Sequence, residues 1–352
     1  MNKKIIIIVA TFLFIIGVLL GLYLGKKNNK SKEMTIDNIK IEFVNYLESK
    51  IQKDGSFEYI INLDSGAVLD DYSVLRHSLS YYALLKEYEN NNLEEKKNTI
   101  KKGIDFLLPR IVEIDDKAFI ISDNMTDFDL GNCSLVLILM SEYQMAYKTI
   151  DYQEYITKLA DGIISMQRLE GRFNHLCTSG KIVLKEKDVI IYYEGEAVLA
   201  LLKAYKVTND EKYLESAKKA IDYYISNEYE KYADHWQEYA MLEFLKYNDE
   251  SKYINYAIKN LSQKMDEIKT KKEIYNTDLE TLKSGLEIFN NHGVLESQYT
   301  LEEVKKEYEN GLKSVEKDFD NLPVNSLIES FFAKKGQNSI RIDDLAHYLM
   351  AF

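Results

Sequence analysis

Tyr192-Tyr193-Glu194-Gly195-Glu196-Ala197-Val198-Leu199-Ala200-Leu201-Leu202-Lys203-Ala204-Tyr205-Lys206 reads as one apolar helix, Val207-Thr208-Asn209-Asp210 as a polar turn, and Glu211–Ser226 as a more charged helix. Val198, Leu201, Leu202 and Tyr205 keep the i, i+3/i+4, i+7 spacing of an apolar helical stripe. The unit then recurs: His235–Tyr247, the turn Asn248-Asp249-Glu250, and Ser251–Met265. The second helices align, Asp-Glu-Lys-Tyr-Leu at 210–214 against Asp-Glu-Ser-Lys-Tyr-Ile at 249–254. Two earlier units, Tyr72–Leu108 and Gly131–Met166, and a later one, Asp278–Ser314, have the same form.

Helical hairpins repeated every ~40–60 residues predict a repeat array or a closed toroid. One amphipathic helix, Thr35–Ile51, and one apolar helix, Asp343–Phe352, are left to complete a sixth hairpin. An open solenoid needs a polar cap on each terminal repeat, whereas the last residues are Tyr348-Leu349-Met350-Ala351-Phe352. The expected architecture is therefore all-α, an (α/α)6 toroid over residues 35–352. Turns from inner to outer helices are short. The connections 109–129, 168–192, 228–233, 266–277 and 318–342 are longer and fall on one rim, where the inner helices begin. Long loops on one face of a rigid scaffold are where function is placed.

Residues 1–25 read differently. Ile5–Leu24 carries no charge and is flanked by Lys3 and Lys4 before and Lys26 and Lys27 after. Twenty residues at about 1.5 Å each span ~30 Å, the hydrocarbon thickness of a bilayer. Leu22-Tyr23-Leu24-Gly25 fits a signal-peptidase site poorly, so residues 1–25 are expected to be an uncleaved transmembrane signal-anchor, with 26–34 as a basic linker. Lysines flank both ends and leave orientation open by charge. The short N-terminal tail favours a single-pass cell-membrane protein with its large domain extracytoplasmic, its lipid-bilayer contact running through residues 5–24.

Beyond the first 25 residues, 43 basic side chains face 57 acidic ones, a net charge of −14 that argues against nucleic-acid binding. Cys133 and Cys177 are too few for a disulfide scaffold. They could pair outside the cell, but Cys133 sits in an apolar run that favours a buried thiol. Only two prolines occur, as expected of a helical protein.

The rim collects rare polar residues. All five arginines, Arg76, Arg110, Arg168, Arg172 and Arg341, fall in or beside it, as do His77, His175, His235 and His347. Guanidinium forks recognise anions bidentately, although the same groups also tie loops down through local ion pairs. The acidic clusters Asp70-Asp71, Glu194/Glu196, Asp234, Asp278-Leu279-Glu280 and Asp343-Asp344 begin inner helices, where N-capping is the ordinary alternative to catalysis. Together with Tyr193 and Trp236 they suggest paired carboxylates and aromatic platforms, as glycosidic cleavage requires. Imidazoles could instead take and return a proton at a sugar carbon. The histidines occur singly, so no metal site is expected, and no cofactor fingerprint, phosphate loop or serine elbow is present.

Leu75–Leu85, Tyr192–Ile225 and Asp234-His235-Trp236 with Tyr239-Ala240 resemble bacterial six-hairpin glycosidase-like proteins. Gln52–Phe57, and Ser165-Met166-Gln167 before Gly171-Arg172-Phe173, are similar to sugar-active (α/α)6 toroids. That superfamily includes glycoside hydrolases, unsaturated uronyl hydrolases, N-acylglucosamine epimerases and the helical domain of glucuronyl C5-epimerases. The resemblance implies polysaccharide or oligosaccharide chemistry by association and carries over no catalytic set.

The leading expectation is a glycoside hydrolase acting on a surface or extracellular, uronate-containing polysaccharide. Asp70, Asp71, Glu194, Glu196, Asp234 and Asp343 would supply acid/base groups. Tyr193 and Trp236 would stack on sugar, and Arg76, Arg172, Arg341, His175 and His347 would bind it. An epimerase or lyase using His77 or His235 is the alternative within enzymes. A noncatalytic glycan- or partner-binding scaffold in surface-polymer assembly is the alternative outside them.

Overall fold

The computed structural model describes residues 34–89, 93–121, 127–178, 181–182, 190–293 and 297–352. The expected anchor at 1–25 and all but the last residue of the linker lie outside these. No helix among the described residues is long and apolar enough to cross a membrane.

Six inner helices are α2 (Val74–Glu89), α4 (Leu130–Ala146), α6 (Ile191–Thr208), α8 (His235–Phe244), α10 (Asn276–His292) and α13 (Ile342–Ala351). The outer partners are α1 (Ile36–Ser49), α3 (Leu93–Leu107), α5 (Gln153–Met166), α7 (Glu211–Ser226), α9 (Ser251–Thr270) and α11 (Leu301–Phe319). Each inner helix packs on the next, α2 on α4, α4 on α6, α6 on α8, α8 on α10, α10 on α13, and α13 back on α2. The ring is closed.

Burial separates the two layers. Every residue from Leu130 to Gln144 of α4 is buried, and so is every residue from Glu194 to Ala204 of α6. The outer α7 buries only one stripe, Tyr213, Ser216, Ala217, Ala220, Ile221 and Tyr224. A helix apolar all round fits only between two layers, whereas a striped one fits the surface. Gly195 sets the α6–α8 spacing, because a Cβ there would stand 2.5 Å from the backbone nitrogen of Gln237.

The sixth hairpin is α13 with α1, as expected. Phe43 of α1 stacks on Phe352 with centroids 6.2 Å apart and also meets Tyr348, Phe319 and Phe331. Leu349 is buried in the same seam.

The all-α expectation omitted seven short strands and one helix in the long connections. These are β1 (Ile60–Asn62), β2 (Ile111–Ile114), β3 (Lys117–Ile120), β4 (Asp127–Asp129), β5 (Leu176–Thr178), β6 (Lys181–Ile182), β7 (Ser339–Arg341) and α12 (Leu327–Lys334). Antiparallel pairing of β1 with β7 sets Ile60 opposite Arg341 and ties the first long loop to the last. Strands β4, β5 and β6 form a second small sheet on the same rim. Cys133 is buried, and its sulfur accepts the Ile120 N–H at 3.3 Å.

Far from that rim, the C-terminal halves of three inner helices share a buried ion network. Lys203 Nζ lies 2.7 Å from Glu142 Oε1 and 2.8 Å from Glu243 Oε2. Burial opposes both carboxylates, but Lys203 outweighs it, aided by Lys86 at Glu142 and Lys246 at Glu243, and holds both below the ordinary glutamate range.

Candidate active site

The inner helices run parallel, so their first turns meet at the rim of long loops. Asp129 and Asp234 are N-caps there: Asp129 Oδ1 accepts the Asn132 N–H at 2.7 Å, and Asp234 Oδ2 accepts the Gln237 N–H at 2.9 Å. The capping alternative thus describes Asp234. Its backbone is also clasped by Asn260 of α9, whose side chain accepts the Asp234 N–H and donates to the Asp234 carbonyl, both at 3.1 Å. Asp234 retains a place near the imidazoles, with Oδ1 3.7 Å from His235 Nδ1.

Three residues from three helices converge beside it. His235 of α8 and His347 of α13 meet with ring centroids 5.5 Å apart at 69°. Glu280 of α10 joins them: Oε1 lies 2.7 Å from His347 Nδ1, and Oε2 accepts the Tyr239 hydroxyl at 2.7 Å. The two imidazoles are pushed in opposite directions. Burial lowers His235 below the ordinary histidine value, and its Nε2 has no hydrogen-bond partner among the described residues. Burial opposes charge on His347 too, but the adjacent Glu280 carboxylate outweighs it and raises His347. Glu280 itself is held low, because the two histidines and the Tyr239 bond overcome its burial. Chain spacing concealed this convergence: histidines that are single in sequence are paired in space.

An arginine–carboxylate group flanks the imidazoles. Asp343 Oδ2 lies 3.4 Å from both Arg76 Nε and Arg341 Nη2. Arg76 Nη1 donates to the Tyr59 hydroxyl at 2.6 Å, and Arg341 Nη2 donates to Asp344 Oδ1 at 2.9 Å. The β1–β7 pairing brings Tyr59 and Arg341 together. Burial, followed by the charge of Asp344, still raises the Asp343 carboxyl, and its Oδ1 lacks a hydrogen-bond partner among the described residues.

Glu194 and Glu196 lie on different faces of α6. Glu194 turns outward: Oε2 accepts the Tyr224 hydroxyl at 2.6 Å and the Phe173 N–H at 3.3 Å, and Oε1 accepts from His175 Nε2 at 2.9 Å. His175 Nδ1 accepts the Ile190 N–H at 3.1 Å, so Nε2 carries the proton given to Glu194. Both side chains are spent holding the 168–176 loop and α7 on α6. Glu196 is completely buried, and neither carboxyl oxygen has a hydrogen-bond partner among the described residues. Burial, then Asp234 and Asp129, raise it well above the glutamate range.

Other expectations are corrected. His77 is a core histidine: Tyr72 Oη lies 2.5 Å from Nδ1, Gly103 O lies 2.9 Å from Nε2, and Phe57, Tyr81 and Phe106 surround the ring. Burial lowers its pKa to about 4. With both nitrogens engaged it has no edge left for acid/base work. Trp236 is 2% exposed, packed on Tyr239 and beside Gly195, so it offers no platform to a sugar. Tyr193 is half-buried against His175 and over Gly131. Its neighbour Tyr192, 43% exposed, is an open aromatic at this rim. Arg172 pairs with Glu170 at 4.0 Å within the 168–172 turn, apart from the imidazole group. Asp70 and Asp71 are exposed on the loop before α2.

The sequence marks Glu280 only as part of the Asp278-Leu279-Glu280 cluster, with no role assigned, and Glu238 is not among the expected site residues. Glu238 follows His235 by three residues and is buried; Oε2 accepts from Asn260 at 2.7 Å, and burial raises its pKa to about 8. The signal was present, since a carboxylate on the second turn of an inner helix has no solvent to face.

Residues 192–327 match the family described as D-glucuronyl C5-epimerase C-terminus. No curated protein matches the chain in sequence. Among solved structures, a sugar epimerase from a ruminal bacterium superposes with a TM-score of 0.64 at 12% identity, over 81% of this chain and 87% of that one. A cellobiose 2-epimerase from Bacillus thermoamylovorans gives 0.61 at 12%, over 82% and 89%. An inactive α-1,6-mannanase variant from Salegentibacter, in complex with α-1,6-mannotetrose, gives 0.65 at 12%, over 90% and 98%. The chain thus has the six-hairpin glycosidase-like fold found in sugar epimerases and glycoside hydrolases, as its sequence resemblance implied.

Proposed function

We propose that this protein is a membrane-anchored, extracytoplasmic enzyme that inverts a sugar carbon by proton transfer, with uronate units of a polysaccharide as substrate. The observation that carries this reading is the His235–His347 pair, whose pKa values are pushed apart. Environments that separate two titratable groups in this way assign a base and an acid. His235, neutral, takes the proton from C5 of the uronate, and that C–H electron pair moves into the neighbouring carboxyl group as an enediolate. His347, its pKa raised by Glu280, returns a proton to C5 as the enediolate collapses. The exposed edges of Arg76 and Arg341 offer charge to the substrate carboxylate, and Tyr192 offers a flat face to a sugar ring. The family match over residues 192–327 and the epimerases among the structural neighbours support this choice over the hydrolase expected from the carboxylate clusters.

Glycoside hydrolysis remains a second reading because of one observation, the buried Glu196 carboxyl with neither oxygen hydrogen-bonded among the described residues. A buried carboxyl whose pKa is raised by burial and by Asp234 and Asp129 suits the acid half of a glycosidase pair. Incubation with glucuronate-containing polysaccharide in deuterated water separates the two. Epimerisation places deuterium at C5 without new reducing ends, whereas hydrolysis yields reducing ends without deuterium. The anchor reading rests on the uncharged run Ile5–Leu24 between lysines. Protease shaving of intact cells tests it, with digestion of residues 33–352 expected and full protection contradicting it.

A further inference from the structure

The same three side chains have a second chemical capacity, which does not depend on the reaction proposed above. His235, Glu280 and His347 each offer one ligand atom, and those atoms lie within 4.8 Å of one another. We infer that they form a binding site for a divalent transition-metal cation of the zinc class.

The donor set is the first argument. Two imidazoles and one carboxylate suit zinc, and three protein ligands leave a fourth position open. His235 Nε2 is a buried nitrogen with no hydrogen-bond partner among the described residues, an acceptor left unsatisfied in a structure where such atoms are costly.

Surrounding residues complete the case. Ligating side chains are ordinarily oriented by hydrogen bonds from behind. Here Tyr239 donates to Glu280 Oε2 at 2.7 Å and leaves Oε1 toward the histidines. Asp234 Oδ1 stands 3.7 Å from His235 Nδ1, on the side away from the unpartnered nitrogen. A tetrahedral cation at about 2.0–2.1 Å from each ligand requires them about 3.4 Å apart. Side-chain rotations on the ångström scale close the remaining gap. His347 gives up its proton on ligation and exchanges its hydrogen bond with Glu280 for a shared cation. Loading occupies both imidazoles, so the cation is an inhibitor of proton transfer at this site.

The test is titration of chelator-treated full-length protein with Zn²⁺, followed by calorimetry, with Co²⁺ as a spectroscopic probe. One equivalent of Zn²⁺ should bind, and Co²⁺ should give visible absorption bands of a four- or five-coordinate site. His235→Asn and His347→Gln should each weaken Zn²⁺ binding at least tenfold, while His292→Gln, on the far side of the ring, leaves it unchanged. Glu280→Gln keeps the side-chain shape and the Tyr239 contact, so it reports on ligation even where a histidine variant fails to fold. Its expected loss is about tenfold or more. Binding of no Zn²⁺, or binding that survives all three changes, overturns the site. Deuterium incorporation is read separately, so loss of the metal site would leave the epimerase reading standing, and the reverse.

Discussion

Glu280 holds two partners at once, His347 Nδ1 at 2.7 Å and the Tyr239 hydroxyl at 2.7 Å, and thereby ties α8, α10 and α13 together at the mouth of the ring. That carboxylate makes the two imidazoles unequal. Glu280 raises the pKa of His347 against its burial, whereas burial lowers that of His235 in spite of Glu280 and Asp234 nearby. Glu280→Gln should lower the pKa of His347 and shift the alkaline limb of the rate profile to lower pH. NMR titration of the His347 ring checks it. An unmoved pKa would show that Glu280 does not set the acid.

The ion network at the opposite end is a stability device. Lys203→Met should destabilise the domain by about 3–5 kcal/mol, since Glu142 and Glu243 would stay buried without their cation. Urea unfolding measures this. A loss under 1 kcal/mol would show that water reaches these carboxylates.

Acid should act through the same network. Glu243 is held at about 2 and Glu142 is also depressed, so their stabilisation is fully present above the ordinary glutamate value of 4.5. It is lost as pH falls from there toward 2. Glu238 has the opposite sign. Its pKa is raised to about 8, so its contribution is present below 4.5 and fades as pH rises through 8. Glu238→Gln should therefore flatten the decline in melting temperature between pH 5 and about 8 without altering the acid limb. An unchanged alkaline slope would place the ionised group elsewhere.

Closure of the ring rests on Phe43. Phe43→Ala should cost about 3–5 kcal/mol, as for other large buried aromatics. Deletion of residues 343–352 should abolish cooperative unfolding, because it removes an inner wall together with Tyr348 and Phe352, two of the rings on Phe43. A deletion variant that melts like the parent would mean the other five hairpins are stable as an open array.

The ring was legible because its signal is periodic. Alternation of apolar helices such as 191–208 with striped ones such as 211–226 follows directly from lying between layers or outside them. The short strands were not legible, since β1 and β7 are three residues each and exist only because the closed ring brings residues 60 and 341 together. The site was legible only in outline. The clusters at the starts of inner helices mark the right rim, and the opposed faces of Glu194 and Glu196 follow from ~200° of helical rotation. Which member turns inward depends on packing: Trp236 goes to the core, Tyr192 to solvent, and His77 to the outer layer, where Gly103 offers it a carbonyl. The meeting of His235, Glu280 and His347 depends on three helices whose spacing no local pattern records.

The central claim is that His235 and His347 move a proton at a sugar carbon. Its most direct test is deuterium incorporation at C5 of a uronate polysaccharide in deuterated water, comparing wild type with His235→Asn and His347→Gln. The account predicts incorporation by the wild type and a loss of about 10²–10⁴-fold in each variant, with melting temperatures within a few degrees of the parent. Incorporation that persists in both folded variants, or new reducing ends without any deuterium, would contradict it.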